Sequence, residues 1–288
     1  MDFYLTALLQ GLCFGGIAFG IYISMKIFNI PDITTDGSYT LGGAVTGAML
    51  THNQPGYIIL PAVMLAGALA GALTGIIHTK LKINALLAGI LVMTALYSVN
   101  LTIMGRSNLP LLSVPTLFTA VNLVTDVNQN ALLILLAFVA VVTLIIGYLL
   151  KTDFGIAMRA TGNSEPMIRA LGVNTDRMKI TGLAIANALT ALSGYLIAQQ
   201  QGFADINMGI GSVIIGLGSV IIAETIINWL QITSVWLSLI LVLTGAIIFQ
   251  FVLAFTLNIG LDANLLKLVT AVFVLIIVGL PRLTSRSA

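Results

Sequence analysis

Two short polar clusters, each just ahead of a glycine-rich apolar stretch, are the residues best suited to hold a small polar solute. Asp32, Thr34, Thr35, Asp36 and Ser38 form the first, and Asp205, Asn207 and Ser212 the second. Residues of these types cap helix starts; where a helix is broken, its first backbone N–H groups can instead point at a ligand carboxylate or amino acid. Both uses stand on sequence alone: ordinary caps at loop ends, or part of a binding path. Glu224 is the third candidate, because an ionised carboxylate at the centre of a bilayer costs ~2.5 kcal/mol or more and must face protein or water. Interhelical hydrogen bonding and a role as a gate are both open to it. Asn100, Asn187 and Gln250 sit within or near the ends of apolar runs and raise the same question.

Catalytic chemistry has no comparable foothold. His52 and His78 are far apart and fall at expected helix ends, the single Cys13 lies inside an apolar run, and no Ser/His/Asp, Cys/His or metal-ligand constellation can be assembled. There is no G-x-x-x-x-G-K-[ST] phosphate loop, so the chain is not expected to be its own ATPase, nor an enzyme, nor to carry a cofactor or metal.

The elements that must position these residues are membrane helices. The 288 residues are 58% hydrophobic and only 8% charged, against about a quarter charged in soluble domains. Continuous apolar runs of roughly 20 residues match a ~30 Å hydrocarbon layer as helices, not as a barrel. Apolar windows place helices at about 3–25, 37–51, 56–78, 84–104, 131–150, 181–201, 211–228, 233–254 and 264–280. The expectation is a single all-α integral membrane domain over 1–288, a polytopic helical bundle of about nine spans, with the second helix short for a crossing. The first run lacks a basic leader and a small-residue cleavage site, and is read as a retained span. The net charge of +2 is too small to imply nucleic acid. Between 105 and 130 the chain is neither clean helix nor polar linker; Pro110 and Pro115 punctuate it, and its apolar content expects a piece in the interface or packed on the bundle.

Charge collects in one place. Residues 151–179 hold Lys151, Arg159, Arg169, Arg177 and Lys179 together with three acidic residues, a concentration that suggests a docking surface. If this loop is cytoplasmic, alternating spans also put Lys26, Lys80, Lys82, Arg282 and Arg286 inside. Only Arg106 and Lys267 are left outside, so one orientation satisfies the positive-inside rule, with the N-terminus outside and the C-terminus cytoplasmic. Capping residues then mark a short helix over 165–171. Asn163 or Ser164 precedes it, Glu165 and Pro166 occupy its first turn, and Gly172 follows Leu171. Asn174 or Thr175 can start the next helix.

A faint internal repeat relates 31–38 to 204–212. Asp-Ile occurs in both, Gly-Ser ends both, and each copy follows a span and precedes a short glycine-rich helix. One copy follows an outside-to-inside span and the other an inside-to-outside span, which makes the halves inverted repeats, a common transporter plan.

The runs Thr152-Asp153-Phe154-Gly155, Arg159-Ala160-Thr161-Gly162-Asn163 and Ala170-Leu171-Gly172-Val173, with Lys179, residues 188–194 and Gly216-Leu217-Gly218-Ser219, resemble the permeases of ABC importers in the branched-chain amino acid and ribose group. The pattern is nearest the branch paired with tryptophan/tyrosine-type binding lipoproteins, and it runs through most of the chain. Glu224 departs from it, standing where such permeases tend to have a small residue. The resemblance implies a type II ABC importer-like fold with inverted repeats and a bacterial cytoplasmic (inner) membrane location. It implies a second permease subunit as a homodimer, cytoplasmic ABC ATPase subunits that bind the ATP, and an extracytoplasmic substrate-binding lipoprotein. The loop 151–179 would carry the coupling helix, with Glu165, Met167, Ile168, Arg169 and Leu171 as ATPase contacts, and the solute would be a small molecule such as an amino acid, aromatic in class. An ion-coupled carrier, using Asp32, Asp205 and Glu224, is the alternative that inverted repeats and membrane carboxylates also serve.

Overall fold

A computed structural model describes residues 2–121, 124–260 and 265–284. Arg286 lies outside the described residues, as do the side chains of Lys267 and Arg282. The chain runs α1 (Asp2–Cys13), α2 (Gly15–Ile21), a π-helical turn (Tyr22–Ile27), α3 (Thr34–Thr51), α4 (Gly56–Lys80), α5 (Ala85–Met104), β1 (Asn108–Pro110), α6 (Leu117–Ala120) and α7 (Val127–Lys151). It continues with α8 (Asp153–Asn163), α9 (Glu165–Ala170), α10 (Thr175–Gln201), β2 (Phe203–Asp205), α11 (Ser212–Trp229), α12 (Val235–Asn258) and α13 (Leu266–Thr284). Local chemistry sets several of these ends. The Asn84 side chain accepts from the Leu86 amide to start α5, Asp126 accepts from Asn128 and Gln129 to start α7, and Asn174 accepts from Arg177 to start α10. Gly105 and Gly202, both at positive φ, stop α5 and α10.

Among the described residues, seven helices are long and apolar enough to cross a membrane: Phe3–Ile27, which joins α1, α2 and the π-helical turn, then α4, α5, α7, α10, α11 and α12. The sequence expects nine. The two others are not among these: α3 opens on Thr34-Thr35-Asp36-Gly37-Ser38, too polar for a lipid-facing span, and of α13 the described side chains include the apolar stretch Leu268–Ile277.

Helix α10 is the axis of the bundle. It is the most enclosed of the seven, and α2, α3 and α4 lie against it on glycine. A Cβ added at Gly67 or Gly71 of α4 would overlap the carbonyl oxygens of Asn187 or Leu183, and one at Gly75 would meet the backbone of Ile180. The four-residue spacing thus serves close backbone approach, which is how helices gain packing where lipid supplies no hydrophobic contrast.

The 105–130 link is packed on the bundle. β1 pairs antiparallel with β2, Asn108 opposite Asp205, and the Leu117 amide donates to Gln199 Oε1 at 2.7 Å. Its own Leu111 and Phe118 are buried.

Candidate functional site

The first polar cluster folds into the start of α3 and is buried. Asp32 Oδ1 accepts from the Thr34 amide at 2.9 Å, and Oδ2 accepts from Asn187 Nδ2 at 2.7 Å. Asn187, fully enclosed on α10, also accepts from the Ser38 hydroxyl at 2.7 Å. Thr34 and Thr74 share a hydrogen bond of 2.7 Å, and the Thr35 hydroxyl donates to the Asp32 carbonyl. One amide side chain therefore ties a carboxylate and a hydroxyl of α3's entry to the central helix. A buried carboxylate without a cation needs such donors, because desolvation otherwise outweighs what holds it.

The two clusters meet through Asp36. Its Oδ1 accepts from the Ser212 hydroxyl and the Val213 amide, each at 2.8 Å, and its Oδ2 accepts from the Gly211 amide at 3.1 Å. One turn on, Thr40 Oγ1 accepts from the Gly209 amide. The first amides of α11, which the sequence offers to a ligand, are thus capped from α3. The negative charge sits where the positive end of the α11 dipole favours it. Asp205 is spent locally: its oxygens accept from the Asn207 amide and from Asn108 Nδ2, holding the turn after β2. Asn207 is exposed.

Glu224, on α11, pairs with Lys26 at the end of the first span, 3.0 Å apart and with both side chains partly exposed. This gives the membrane carboxylate its counter-charge and links α11 to the π-helical turn.

The charged loop converges at one end of the bundle. α9 starts after Ser164, whose hydroxyl makes no capping bond, and it ends at Leu171 before Gly172 at φ +86°. The amides of Gly172 and Val173 return to the Arg169 and Ile168 carbonyls, closing the last turn. Glu165 is the knot: Oε1 accepts from Arg169 Nη2 at 2.9 Å and from the Thr175 hydroxyl at 3.1 Å, while Oε2 accepts from Lys179 Nζ. Arg169 reaches on to Thr175 and to Asp176 Oδ1, and Asp176 pairs with Lys80 of α4 at 3.5 Å. Asn29 Nδ2 donates to the Gly162 carbonyl, so the loop also rests on the end of the first span. Ile168 is buried, whereas Met167 is 57% exposed and Leu171 72%. Of the five candidate contacts, two therefore brace α9 from within, one anchors it, and two project from it.

The Lys179 hydrogen bond, aided by its charge, by Thr175 and by Arg169, holds the Glu165 carboxyl below the usual glutamate range despite partial burial. A lowered folded-state pKa means the tie is fully present above the ordinary glutamate range and is lost as pH falls through the lowered value. Acidification through and below that range is expected to lower the protection of the Ile168 and Val173 amides, measured as exchange relative to the intrinsic rate at each pH. Glu165→Gln should flatten this pH dependence, with a total effect of about 0.2–1 kcal/mol as for partly exposed pairs.

Asn100 and Asn187 could be flagged in sequence only as polar residues in apolar runs. Thr40 and Thr74 escaped it altogether, while Thr175 reads there only as a possible helix start and Lys26 only as a charge that sets orientation. Thr40 lies one helical turn beyond Asp36, the one spacing that could have pointed to it. Among the described residues no group of three or more His, Cys, Asp or Glu side chains could hold a metal ion.

The sequence profile described as branched-chain amino acid transport system / permease component matches residues 3–279. The chain is similar to a tyrosine transport system permease protein of Clostridioides difficile (strain R20291), 38% identical over 278 residues, 96% of this chain and 90% of that one. An uncharacterised protein of Rickettsia prowazekii (strain Madrid E) is 35% identical over 96% of both chains. A ribose import permease protein of Haemophilus influenzae (strain ATCC 51907 / DSM 11121 / KW20 / Rd) is 26% identical over 67% of this chain and 60% of that one. No solved structure matches.

Proposed function

The chain belongs to the family of branched-chain amino acid transport system permease components, and from that membership we propose that it is the membrane subunit of an ATP-driven importer for an amino acid, aromatic in class. The relative named for tyrosine transport, similar over nearly the whole of both chains, supports that solute over a sugar. A homodimer of this chain carries the solute between its subunits, two cytoplasmic ATPase subunits bind and hydrolyse the ATP, and an extracytoplasmic lipoprotein delivers the solute.

The observation that carries this reading is the construction of α9. It presents Met167 and Leu171 outward while Glu165, Arg169 and Lys179 lock it to the start of α10, the helix on which α2, α3 and α4 pack. Force applied to α9 by a moving ATPase reaches the bundle axis directly, with no flexible linker between. Two projecting apolar side chains on a braced short helix suit a groove in another protein, since buried apolar anchors carry most interface energy.

The finer architecture follows. α3 and α13 join the seven apolar helices to make nine membrane segments, and 31–38 with 204–212 mark inverted halves whose helix starts, α3 and α11, meet at Asp36. Clustering of Lys26, Lys80, Lys151, Arg159, Arg169, Arg177 and Lys179 on one side supports a cytoplasmic loop in a bacterial inner membrane, with the N-terminus outside and the C-terminus inside. Alternating access then exchanges two packings of the halves about α10, with the Lys26–Glu224 pair at the inner end as a gate contact.

The test is reconstitution of the chain with its ATPase and lipoprotein in proteoliposomes. Accumulation of labelled L-tyrosine that requires ATP is expected, and excess ribose should not compete with it. Absence of any ATP-dependent amino acid uptake would remove the reading.

A further inference from the structure

A cavity of about 220 Å³ lies between α3, α5 and the turn that leads into α11, and its polar lining is Asp36, Thr40, Thr94, Tyr97 and Asn100. Asn100 is 1% exposed. Its Nδ2 donates to the Gly37 carbonyl oxygen at 3.2 Å, and its Oδ1 has no partner. Exchanging the two amide atoms would set oxygen against the Gly37 oxygen, so the neighbour fixes which atom is left over. A buried acceptor without a donor calls for something that completes it.

The remaining polar atoms point to the same complement. The Thr94 hydroxyl donates to the Ile90 carbonyl at 2.8 Å and the Thr40 hydroxyl to the Asp36 carbonyl at 3.2 Å, so both protons are committed; the Thr94 oxygen remains as an acceptor, and the Thr40 oxygen, which takes the Gly209 amide, keeps one lone pair. The Asp36 carboxylate accepts from three groups and, with about four lone-pair sites, keeps one open. The α11 dipole offsets about half an elementary charge of it, which leaves the cavity negative. No lysine, arginine or histidine stands among the described residues that line it. Tyr97 adds an aromatic ring at the partly open side, a surface that attracts cations. Acceptors, a residual negative charge and a π face select a positively charged N–H donor and reject a carboxylate.

We propose that this cavity binds the ammonium group of the transported amino acid, with Asn100 Oδ1 and Asp36 as its acceptors. The proposal rests on the amino acid permease reading and assigns one end of the solute to one place in the fold. A monovalent metal ion shares the positive charge but donates no hydrogen bond, and the test separates the two.

The experiment measures ATP-driven uptake of L-tyrosine by the complete transporter in proteoliposomes, at saturating loaded lipoprotein. Asn100→Leu, similar in volume but without an acceptor, is expected to lower the uptake rate about tenfold or more, the loss expected for one hydrogen bond to a charged group. Asn100→Asp, which keeps an acceptor and as the protonated acid can donate to the Gly37 carbonyl in place of Nδ2, should retain uptake within about threefold of wild type. Each variant complex is first shown by gel filtration to elute with its ATPases; should Asn100→Leu not assemble, Thr94→Val and Asn100→Asp carry the comparison, with uptake lowered in the first and kept in the second. Replacing all Na⁺ and K⁺ by N-methylglucamine should leave wild-type uptake unchanged. Wild-type rates from Asn100→Leu, equal losses in Asn100→Leu and Asn100→Asp, or a requirement for Na⁺ or K⁺ would each overturn the site while leaving the permease reading in place. A wild-type complex that takes up no amino acid would overturn both.

Discussion

Aspartate at both Met167 and Leu171 is expected to reduce ATP-driven uptake to below about 1% of wild type while the chain still folds and inserts. The two side chains project from α9 and make little of the bundle's own core, so their replacement leaves the Glu165–Arg169–Lys179 brace in place. In a partner's apolar groove two carboxylates would be stripped of water without a counter-charge, a cost of several kcal/mol and hence a hundredfold or more in association. Alanine at both positions should give a milder loss, roughly tenfold, because it removes anchors without burying charge. Co-purification of the ATPase with each variant separates lost docking from lost folding. Equal ATPase recovery from wild type and the double aspartate variant would place the contact elsewhere.

The second large effect concerns stability. Asn187→Leu removes the donor to Asp32 and the acceptor for Ser38 in one step, inside a region closed to water. Loss of a hydrogen bond to a buried carboxylate costs about 1.5–3 kcal/mol, enough to lower the thermal midpoint of the detergent-solubilised chain by several degrees. The double variant Asp32→Leu with Asn187→Leu should recover part of that loss, because an apolar pair leaves no stranded charge and only the Thr34 amide and Ser38 hydroxyl unpaired. A double variant no more stable than Asn187→Leu alone would show that the Asp32–Asn187 contact is not what the asparagine contributes.

Apolar run length and capping chemistry made much of this fold legible in sequence. The windows at 56–78, 84–104 and 131–150 fall on α4, α5 and α7 because continuous apolar residues bounded by Asn84 or Asp126 leave the chain few other choices. The short helix in the charged loop was legible for the same reason, since Pro166 at its start and Gly172 after Leu171 act locally. The π-helical turn at Tyr22–Ile27 was not legible, because nothing in the run up to Met25 breaks its apolar pattern. Nor were the partners of the polar residues. Asp36 reads as a cap at its own loop end or as part of a binding path, and it caps α11, 175 positions or more away. Glu224 reads as facing protein or water, with interhelical bonding open to it, but its partner was not legible: it is Lys26 from the first span. Such pairings depend on how α11 is brought against α3 and the first span, which no local spacing encodes.

The measurement that bears most directly on the account is uptake of L-tyrosine by proteoliposomes that contain the chain with its ATPase and binding lipoprotein, with ATP supplied to the ATPase face and the membrane made permeable to protons and monovalent cations by ionophores. The account predicts accumulation that persists without any ion gradient and stops when ATP is withdrawn. Accumulation that collapses with the ionophores and proceeds without ATP would contradict it, and would identify an ion-coupled carrier instead.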